Sequence, residues 1–146
     1  MNLCLAFRDA VPADWPAIEA LLAAAALPPD EARENMHNFI VGEAEGAVCC
    51  VAGFEHYAGD ALLRSVAVRE SMRGGGVGER MLDVLEARAK GRGITALYLL
   101  TTTAATFFAA RGFARIERAN VPLAVRASSQ FNGICPASAT AMVTFL

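Results

Sequence analysis

Apolar positions along the chain follow two periods, which together predict a mixed α/β domain. Short apolar or alternating runs are typical of strands, whereas apolar positions three and four residues apart are typical of amphipathic helices. The strand-like segments are 3–8, 38–43, 47–56, 61–69, 94–100, 112–118 and 140–145. The helix-like segments are 13–26, a short one ending near residue 36, 77–91 and 104–111. Because strands and helices alternate along the chain, with hairpins at the front, we expect a mixed α/β sandwich.

The length and composition favour one domain over residues 1–146. A chain of 146 residues is close to the commonest domain size, and no repeat, linker or low-complexity segment divides it. Hydrophobic residues make up 55% and charged residues 19% of the chain, which excludes a disordered protein. The longest strictly apolar run, residues 20–27, is far shorter than the ~20 residues that a membrane-spanning helix needs. With no export signal before Arg8, we predict a cytoplasmic protein without a membrane partner.

The four cysteines, Cys4, Cys49, Cys50 and Cys135, lack the spacing of a metal site or a disulfide framework. No C-x-x-C pair is present. Cys49 and Cys50 are neighbours in a predicted strand, so we expect their side chains on opposite faces of the sheet. We therefore predict buried free thiols and no metal site.

The charges are divided unevenly along the chain. Residues 1–63 hold two basic and ten acidic side chains, whereas residues 64–146 hold eleven basic and five acidic ones, and the net charge is −2. A nucleic-acid-binding protein needs a basic excess over a whole face, which this balance does not supply, so we expect no nucleic-acid partner. A locally positive second half favours a small anionic ligand. A chance excess of solvated arginines is the alternative.

A glycine-rich segment between a predicted strand and a predicted helix is the strongest candidate for a ligand site. Residues 65–81 read Ser-Val-Ala-Val-Arg-Glu-Ser-Met-Arg-Gly-Gly-Gly-Val-Gly-Glu-Arg-Met. Glycines let successive N–H groups converge on one ligand, the helix N-terminus adds a positive dipole, and Arg73 supplies a fork of donors. The pattern predicts a phosphate or pyrophosphate site, although its spacing fits neither a P-loop nor a dinucleotide fingerprint. A flexible turn before an ordinary helix is the alternative.

Two motifs of the sequence resemble the GNAT N-acetyltransferases. Arg73-x-x-Gly76-x-Gly78 matches the signature Q/R-x-x-G-x-G/A, which in that family cradles the pyrophosphate of coenzyme A. The segment 97–113 is similar to the second motif, N-x-x-A-x-x-F-Y-x-x-x-G-F, and the order of elements fits from end to end. The resemblance implies an α/β (α+β) fold, with a mixed, mostly antiparallel sheet, splayed central strands and flanking helices. It also implies acetyl-CoA as the cosubstrate.

The resemblance assigns contacts with acetyl-CoA to both motifs. Backbone groups of Val66 and Val68 would bond the pantetheine arm as though it were another strand, between the diverging fourth and fifth strands. A backbone N–H near Val66 would face the acetyl carbonyl and stabilise its developing negative charge. Thr101 and Phe107 would line the other side of the arm, with Arg111 near the nucleotide. The expected contacts are Val66, Ala67, Val68, Arg73, Gly74, Gly75, Gly76, Val77, Gly78, Glu79, Thr101, Phe107 and Arg111.

The sequence departs from the family pattern at two positions. Thr101 stands in place of the usual asparagine, and Phe108 in place of the tyrosine proposed as general acid for the leaving thiolate. Phenylalanine cannot donate a proton, so either another group or water supplies it, or the chain binds the cofactor without efficient turnover. Glu55 is the candidate catalytic base, directly or through a water, and Tyr57 is a remote candidate acid. Solvated residues at a hairpin end are the alternative for both.

The arginines of the second half are the candidates for substrate binding. Arg118 and Arg126 lie in residues 118–146, here called the tail, and would suit a substrate carboxylate or another oxyanion. Arg64 and Ser65 lie on opposite faces of a pleated strand, so one of the two would face the substrate.

Segments 61–68 and 97–103, together with the tail around Cys135, resemble the branch of GNAT proteins associated with arsenic-resistance operons. Thiols could hold trivalent arsenic only if two or three sulfurs converge, so we expect Cys135 to be structural. We expect an N-acetyltransferase that moves the acetyl group of acetyl-CoA to the amine of a small molecule, an amino acid or analogue, by direct attack in a ternary complex. The alternatives are a catalytically weak coenzyme A-binding sensor or regulatory module, and acetylation of a protein substrate. A homodimer is expected from the family alone.

Overall fold

Seven strands and four helices make up the part of the chain that the computed structural model describes, residues 5–134 and 137–146. The strands are β1 (Leu5–Asp9), β2 (Phe39–Ala44), β3 (Ala47–Tyr57), β4 (Asp60–Val68), β5 (Ala96–Thr101), β6 (Ala114–Arg115) and β7 (Thr140–Phe145). The helices are α1 (Trp15–Ala24), α2 (Val77–Gly91), α3 (Ala105–Ala110) and α4 (Leu123–Arg126). Short 3₁₀ turns lie at Pro12–Asp14, Arg33–Asn38, Glu70–Met72 and Arg118–Asn120. None of the described helices is long and apolar enough to cross a bilayer.

The strands form one sheet in the order β1-β2-β3-β4-β5-β7-β6. The pairs β1–β2, β2–β3, β5–β7 and β6–β7 are antiparallel, whereas β4 and β5 are parallel. The register of β4 with β5 runs from Asp60 opposite Ala96 to Leu62 opposite Tyr98, while β5 pairs with β7 along its whole length. A pairing that covers only the start of two parallel strands is what strands that diverge would show. The predicted fold class is confirmed.

The chain divides into two compact units, whose boundaries fall inside β3, β4 and α2. The first unit comprises residues up to Glu55 together with Ser65–Arg88, and the second comprises His56–Arg64 together with Ala89–Leu146. The expectation of a single domain over residues 1–146 stays a prediction. The core of the first unit contains Ile18, Leu22, Ala32, Met36, Phe39, Val41, Val51 and Ala67. The core of the second contains Leu62, Ala96, Tyr98, Val121, Val125 and Val143.

Ion pairs connect β1 to the turn before α1, to β2 and to α2 in the first unit. The Arg8 guanidinium donates to Asp14 at 2.7 Å and to Glu43 at 2.6 Å, and this hydrogen bonding lowers the pKa of the Asp14 carboxyl. Arg88 on α2 forms an ion pair with Asp9 at the end of β1. The contacts of Arg8 are short and partly buried, and together with the Arg88–Asp9 pair they connect the turn before α1 and helix α2 to the same strand.

A β-bulge at Cys49 overturns the expectation that the two neighbouring thiols point to opposite faces. Gly42 is opposite Cys50 but Glu43 is opposite Val48, so Cys49 has no partner in the β2–β3 register. The Cys49 thiol donates to the Gly42 carbonyl at 3.4 Å, and the Cys50 sulfur also lies beside Gly42. Burial and the neighbouring Cys49 raise the pKa of Cys50 to about 12. Both thiols are free and buried, as predicted, whereas Cys4 and Cys135 lie outside the described residues.

Element boundaries differ from the sequence-based expectation mainly at turns. The first helix was expected over 13–26 but runs only from Trp15 to Ala24, because a 3₁₀ turn precedes it and Ala26 adopts a positive φ of 54°. The strand expected over 112–118 is reduced to the two residues of β6. The loop expected around Pro122 contains α4, with Pro122 at its N-cap, a position that needs no backbone N–H donor.

Candidate active site

The glycine loop between β4 and α2 has a backbone that favours glycine at two of its positions. Gly74 and Gly76 have φ values of 84° and 82°, in the left-handed region where a side chain is strained. A Cβ atom at either residue would meet no atom within 4 Å. The glycines are therefore needed for the backbone conformation rather than for close packing. The space above the loop is open to a ligand.

Positive charge and hydrogen-bond donors converge at this loop. Helix α2 has 15 residues, and the N–H groups of its first turn, at Val77, Gly78 and Glu79, have no acceptor within the helix. The helix dipole adds partial positive charge at the same end. The Nε atom of Arg73 donates to the carbonyl of Val68 at 3.0 Å, which holds the guanidinium at the end of β4 beside the loop. The arrangement is suited to an anion with several oxygens, as predicted for a pyrophosphate.

Strand β4 contains a residue in an unusual conformation just before the predicted cofactor strand. Ser65 has a φ of 58° although it is not glycine, and its side chain is buried. Such a conformation costs about 1–2 kcal/mol and is typical of functional sites and bulges. Arg64 and Ser65 are both buried, so burial does not separate the two candidates for substrate contact, and their expected placement on opposite faces stays a prediction. Beyond it, Val66 and Val68 are half-buried on either side of buried Ala67.

The residues near the end of β3 have different environments from one another. Glu55 is 4% exposed, so the alternative of a solvated carboxylate at a hairpin end is wrong for this residue. His56 is exposed, and its Nε2 lies 2.7 Å from the carbonyl oxygen of Ala58 in the turn. Tyr57 is half-buried and packs against the core of the second unit. A buried carboxylate is the type of group that can act as a base in a water-poor site, so Glu55 stays the candidate.

The tail carries two buried donor atoms with no acceptor. Within residues 5–134 and 137–146, neither the Nε of Arg126 nor the Oγ of Ser128 has a hydrogen-bond partner. Arg118 has a structural contact, because its Nη2 donates to the carbonyl of Ala139 at 2.9 Å and its guanidinium lies 5.6 Å from the ring centroid of Phe131. Buried donors without partners are unfavourable unless a ligand satisfies them.

A comparison with protein-family models matches residues 35–115 to the acetyltransferase (GNAT) domain. This match covers more than half of the chain and includes β2 to β6, with the glycine loop and α2 at its centre. The chain belongs to the GNAT acetyltransferase family. The predicted family and the predicted class of enzyme domain are confirmed.

Comparisons with individual proteins find similar acetyltransferase sequences and similar folds. An amino-acid acetyltransferase from Pseudomonas fluorescens is 37% identical over 96 residues, which are 64% of this chain and 22% of that protein. N-acetylglutamate synthase from Neisseria gonorrhoeae, solved with coenzyme A and N-acetyl-glutamate, is 25% identical with a TM-score of 0.85, over 100% of this chain and 36% of that one. A Mycobacterium tuberculosis protein solved with CoA has a TM-score of 0.79 at 24% identity, over 97% of this chain and 99% of that one. The chain spans about a fifth of the length of the curated relative.

The second GNAT motif contains the two departures from the family pattern. Phe108 is buried and contacts Phe107 and Phe113 edge to face, with centroid distances of 5.1 Å and 5.4 Å. Its ring has a packing role and no proton to give. Thr101 keeps a polar function, because its Oγ1 accepts a hydrogen bond from the N–H of Ala104 at 2.9 Å, just before α3.

Replacement of Thr101 by valine is expected to destabilise the fold by about 1 kcal/mol, because the N–H of Ala104 loses its side-chain acceptor at the start of α3. Urea denaturation of the two proteins measures this difference. Thr103→Val, at an exposed position two residues further on, is the matched control and is expected to change stability by less than about 0.5 kcal/mol. Equal losses in both variants would contradict the assigned hydrogen bond.

The predicted site residues are distributed over both units of this GNAT protein. The first unit contains Glu55, Ser65 and the segment 66–79. The second unit contains Arg64, Thr101, Phe107, Arg111, Arg118 and Arg126. The geometry brings the end of β4 together with the glycine loop, and it places Arg118 and Arg126 against the same turn, Gln130–Ile134. Among the described residues, no three His, Cys, Asp or Glu side chains are placed to hold a metal ion.

Sequence reasoning missed Ser128. A serine in a polar tail has no pattern that separates a buried donor from a solvated one. Only the burial of its Oγ without a partner distinguishes it from the neighbouring Ser129.

Proposed function

We propose that this chain transfers the acetyl group of acetyl-CoA to the amine of an amino acid or an analogue, by direct attack in a ternary complex. The observation that carries the proposal is the geometry of the glycine loop, where two positive-φ glycines, the first turn of α2 and Arg73 offer donors around open space. The GNAT match over the same residues supports acetyl-CoA as the source of the phosphates. The relatives named as amino-acid acetyltransferases support an amino acid as the acceptor.

The first unit is proposed to bind the cosubstrate through its backbone. The loop N–H groups of Gly74, Gly75, Gly76, Val77, Gly78 and Glu79 would hold the pyrophosphate, together with Arg73. The backbone of Val66, Ala67 and Val68 would bond the pantetheine arm as a further strand would. For Thr101, Phe107 and Arg111 we propose the cofactor contacts that their motif implies. Their assignment rests on the family motif.

Acetyl-CoA supplies a thioester: the amine nitrogen would form a bond to its carbonyl carbon, and the C–S bond would break to release the coenzyme A thiolate. The backbone N–H near Val66 would donate to the carbonyl oxygen as negative charge develops there. The left-handed conformation of Ser65 immediately before it would turn this N–H away from the regular direction of the strand, because a positive φ interrupts the pleat. Glu55, a buried carboxylate, would take the proton from the ammonium group, directly or through a water. Phe108 cannot protonate the thiolate, so water or another residue supplies that proton.

The amino acid is proposed to be held by its carboxylate in the tail. A carboxylate offers two oxygens and about four acceptor positions. Arg126 Nε and Ser128 Oγ are buried donors without a protein acceptor among the described residues, and a bound carboxylate would satisfy both. Arg118 and the buried pair Arg64 and Ser65 stay candidates for the rest of the substrate.

A coenzyme A-binding sensor or regulatory module is the second candidate function. The buried phenylalanine at position 108 favours it, because the group proposed as general acid in many family members is replaced there by a ring packed between two others. A module of this kind would bind acetyl-CoA at the same loop but release no thiol.

Several wider assignments are proposed from the sequence. Segments 61–68 and 97–103 favour the arsenic-resistance branch of the family, and we propose a single catalytic domain over residues 1–146. A cytoplasmic location, a homodimer and the lack of nucleic-acid and membrane partners are proposed with it. Arsenic binding by Cys135 concerns a residue outside the described part of the chain.

A panel of amines tests the proposed function. The protein is incubated with acetyl-CoA and each amine in turn, and the release of free thiol is measured. We expect turnover with at least one amino acid, and at least about tenfold lower kcat/KM for its carboxamide, which lacks the charged acceptor. Turnover with no amine, combined with stabilisation by acetyl-CoA, would favour the binding module instead.

A further inference from the structure

The two buried donors of the tail lie on a short stretch of backbone that one side chain organises. Arg126 is the last residue of α4, and Ser128 follows it by two positions. Their side-chain atoms Nε and Oγ have no acceptor within the described residues. Two donors can bind one carboxylate well only if the distance between them is fixed. A displacement of about 1 Å in the position of a binding group removes much of its contribution to binding.

Asn132 makes the hydrogen bonds that fix this stretch. Its Nδ2 donates to the carbonyl of Arg126 at 3.0 Å and to the carbonyl of Ser128 at 3.1 Å. Its backbone N–H also lies 3.1 Å from the carbonyls of Ser128 and Ser129. An amide NH₂ group has two hydrogens, so one side chain satisfies both carbonyls at once.

The turn itself directs Asn132 back toward α4. Asn132 has φ −104° and ψ 38°, and the following Gly133 has φ 114°, a conformation that favours glycine. The regular helical conformation is therefore interrupted at Asn132 and Gly133. The asparagine is exposed, so its amide is not needed to satisfy a buried group of its own. Its contacts instead serve the two residues whose side chains carry the buried donors.

We propose that Asn132 is a positioning residue, which sets the spacing of Arg126 Nε and Ser128 Oγ for the carboxylate of the acceptor substrate. This inference rests on the proposed function and names a residue that determines its specificity for a carboxylate. Asn132 does not touch the substrate in this account. Its effect reaches the substrate only through the backbone of the two donor residues, and so it changes recognition of the carboxylate and leaves the binding of acetyl-CoA and the chemical step intact.

The test compares an amino acid with its carboxamide in wild type and in Asn132→Ala. In the wild type, exchange of carboxylate for carboxamide is expected to lower kcat/KM at least about tenfold. In Asn132→Ala, we expect the KM of the amino acid to rise about tenfold and the carboxamide penalty to shrink to about twofold, while kcat and the KM of acetyl-CoA stay unchanged. A structural role alone would reduce the fraction of active protein. The apparent kcat would then fall equally for the amino acid and the carboxamide, and the carboxamide penalty would not change.

Matched variants keep the test decisive. Asn120→Ala removes another exposed asparagine of the same region, whose side chain makes no hydrogen bond in the described structure, and it is expected to behave as wild type. Asn132→Ser keeps one donor and is expected to show an intermediate penalty; it replaces Asn132→Ala if that variant does not fold. A carboxamide penalty in the Asn132 variants equal to that of wild type would overturn the inference. A wild type that turns over no amino acid would overturn the proposed function itself.

Discussion

Replacement of Gly76 by aspartate is expected to weaken the binding of acetyl-CoA at least about a hundredfold, equivalent to about 2.7 kcal/mol. Gly76 has a φ of 82° and nothing within 4 Å of its Cβ position, so the new side chain enters the open space above the loop. A carboxylate there faces the proposed pyrophosphate. Two like charges about 4 Å apart repel by about 4 kcal/mol near a protein surface, which is enough for the expected loss. Calorimetric titration with acetyl-CoA measures it.

Gly76→Asn is the matched control for this prediction. Asparagine has nearly the same size and also tolerates the left-handed region, so it reproduces the backbone and steric effects without the charge. Its dissociation constant is expected to be at least about tenfold lower than that of Gly76→Asp, and high salt should narrow the gap because it screens the repulsion. If both variants bind acetyl-CoA with the wild-type constant, the loop does not hold the phosphates.

Replacement of Gly53 by alanine is expected to destabilise the fold by about 3 kcal/mol. Gly53 in β3 is opposite Phe39 in β2, and the ring of Phe39 occupies the space where a side chain at residue 53 would begin. A Cβ atom at residue 53 would be 2.5 Å from Cγ of Phe39 and closer still to Cδ1 and Cε1. Phe39 is 1% exposed in the core of the first unit, so its ring has no free space to enter. The midpoint of urea denaturation reports the change.

Gly59→Ala is the control for steric crowding at a glycine. Its Cβ would have only Thr95 Oγ1 nearby, at 3.7 Å, an ordinary contact distance. We expect a change in stability of less than about 0.5 kcal/mol. A denaturation midpoint of Gly53→Ala equal to that of Gly59→Ala would show that Phe39 moves aside, and the packing account would then be wrong.

The sequence predicted the turn and the helix start at the glycine loop well, because these features are local. Gly74, Gly76, Arg73 and the start of α2 all lie within six residues, and backbone torsions and a helix terminus depend on neighbours in sequence. The amphipathic pattern of α2 was equally local, and its apolar residues Met81 and Leu85 are fully buried. A motif of this kind specifies its own geometry whatever the rest of the chain does.

The bulge at Cys49 and the left-handed conformation of Ser65 could not be predicted, because such features depend on pairing between strands. Alternation in sequence placed Cys49 and Cys50, and likewise Arg64 and Ser65, on opposite faces. The register of β2 with β3 skips Cys49, and Ser65 adopts a left-handed conformation inside β4. No composition signal marks these positions, since neither pair contains the glycine that usually accompanies a bulge.

The tail was predicted least well, and for a related reason. Its contacts join Arg118 to Ala139 and Asn132 to Arg126, across short irregular segments with no hydrophobic period. The Asn132-Gly133 dipeptide does signal a turn. It does not reveal which carbonyl groups the asparagine will reach. Burial of Ser128 is likewise a tertiary property.

The most direct test of acetyl transfer to an amino acid follows both products of one reaction. The wild-type chain is incubated with acetyl-CoA and an amino acid from the panel, and mass spectrometry quantifies the N-acetylated amino acid alongside free coenzyme A. The account predicts equal molar amounts of the two, with both reduced in Gly76→Asp at low acetyl-CoA concentration. Free coenzyme A without the N-acetylated product, or binding of acetyl-CoA without either product, would contradict it.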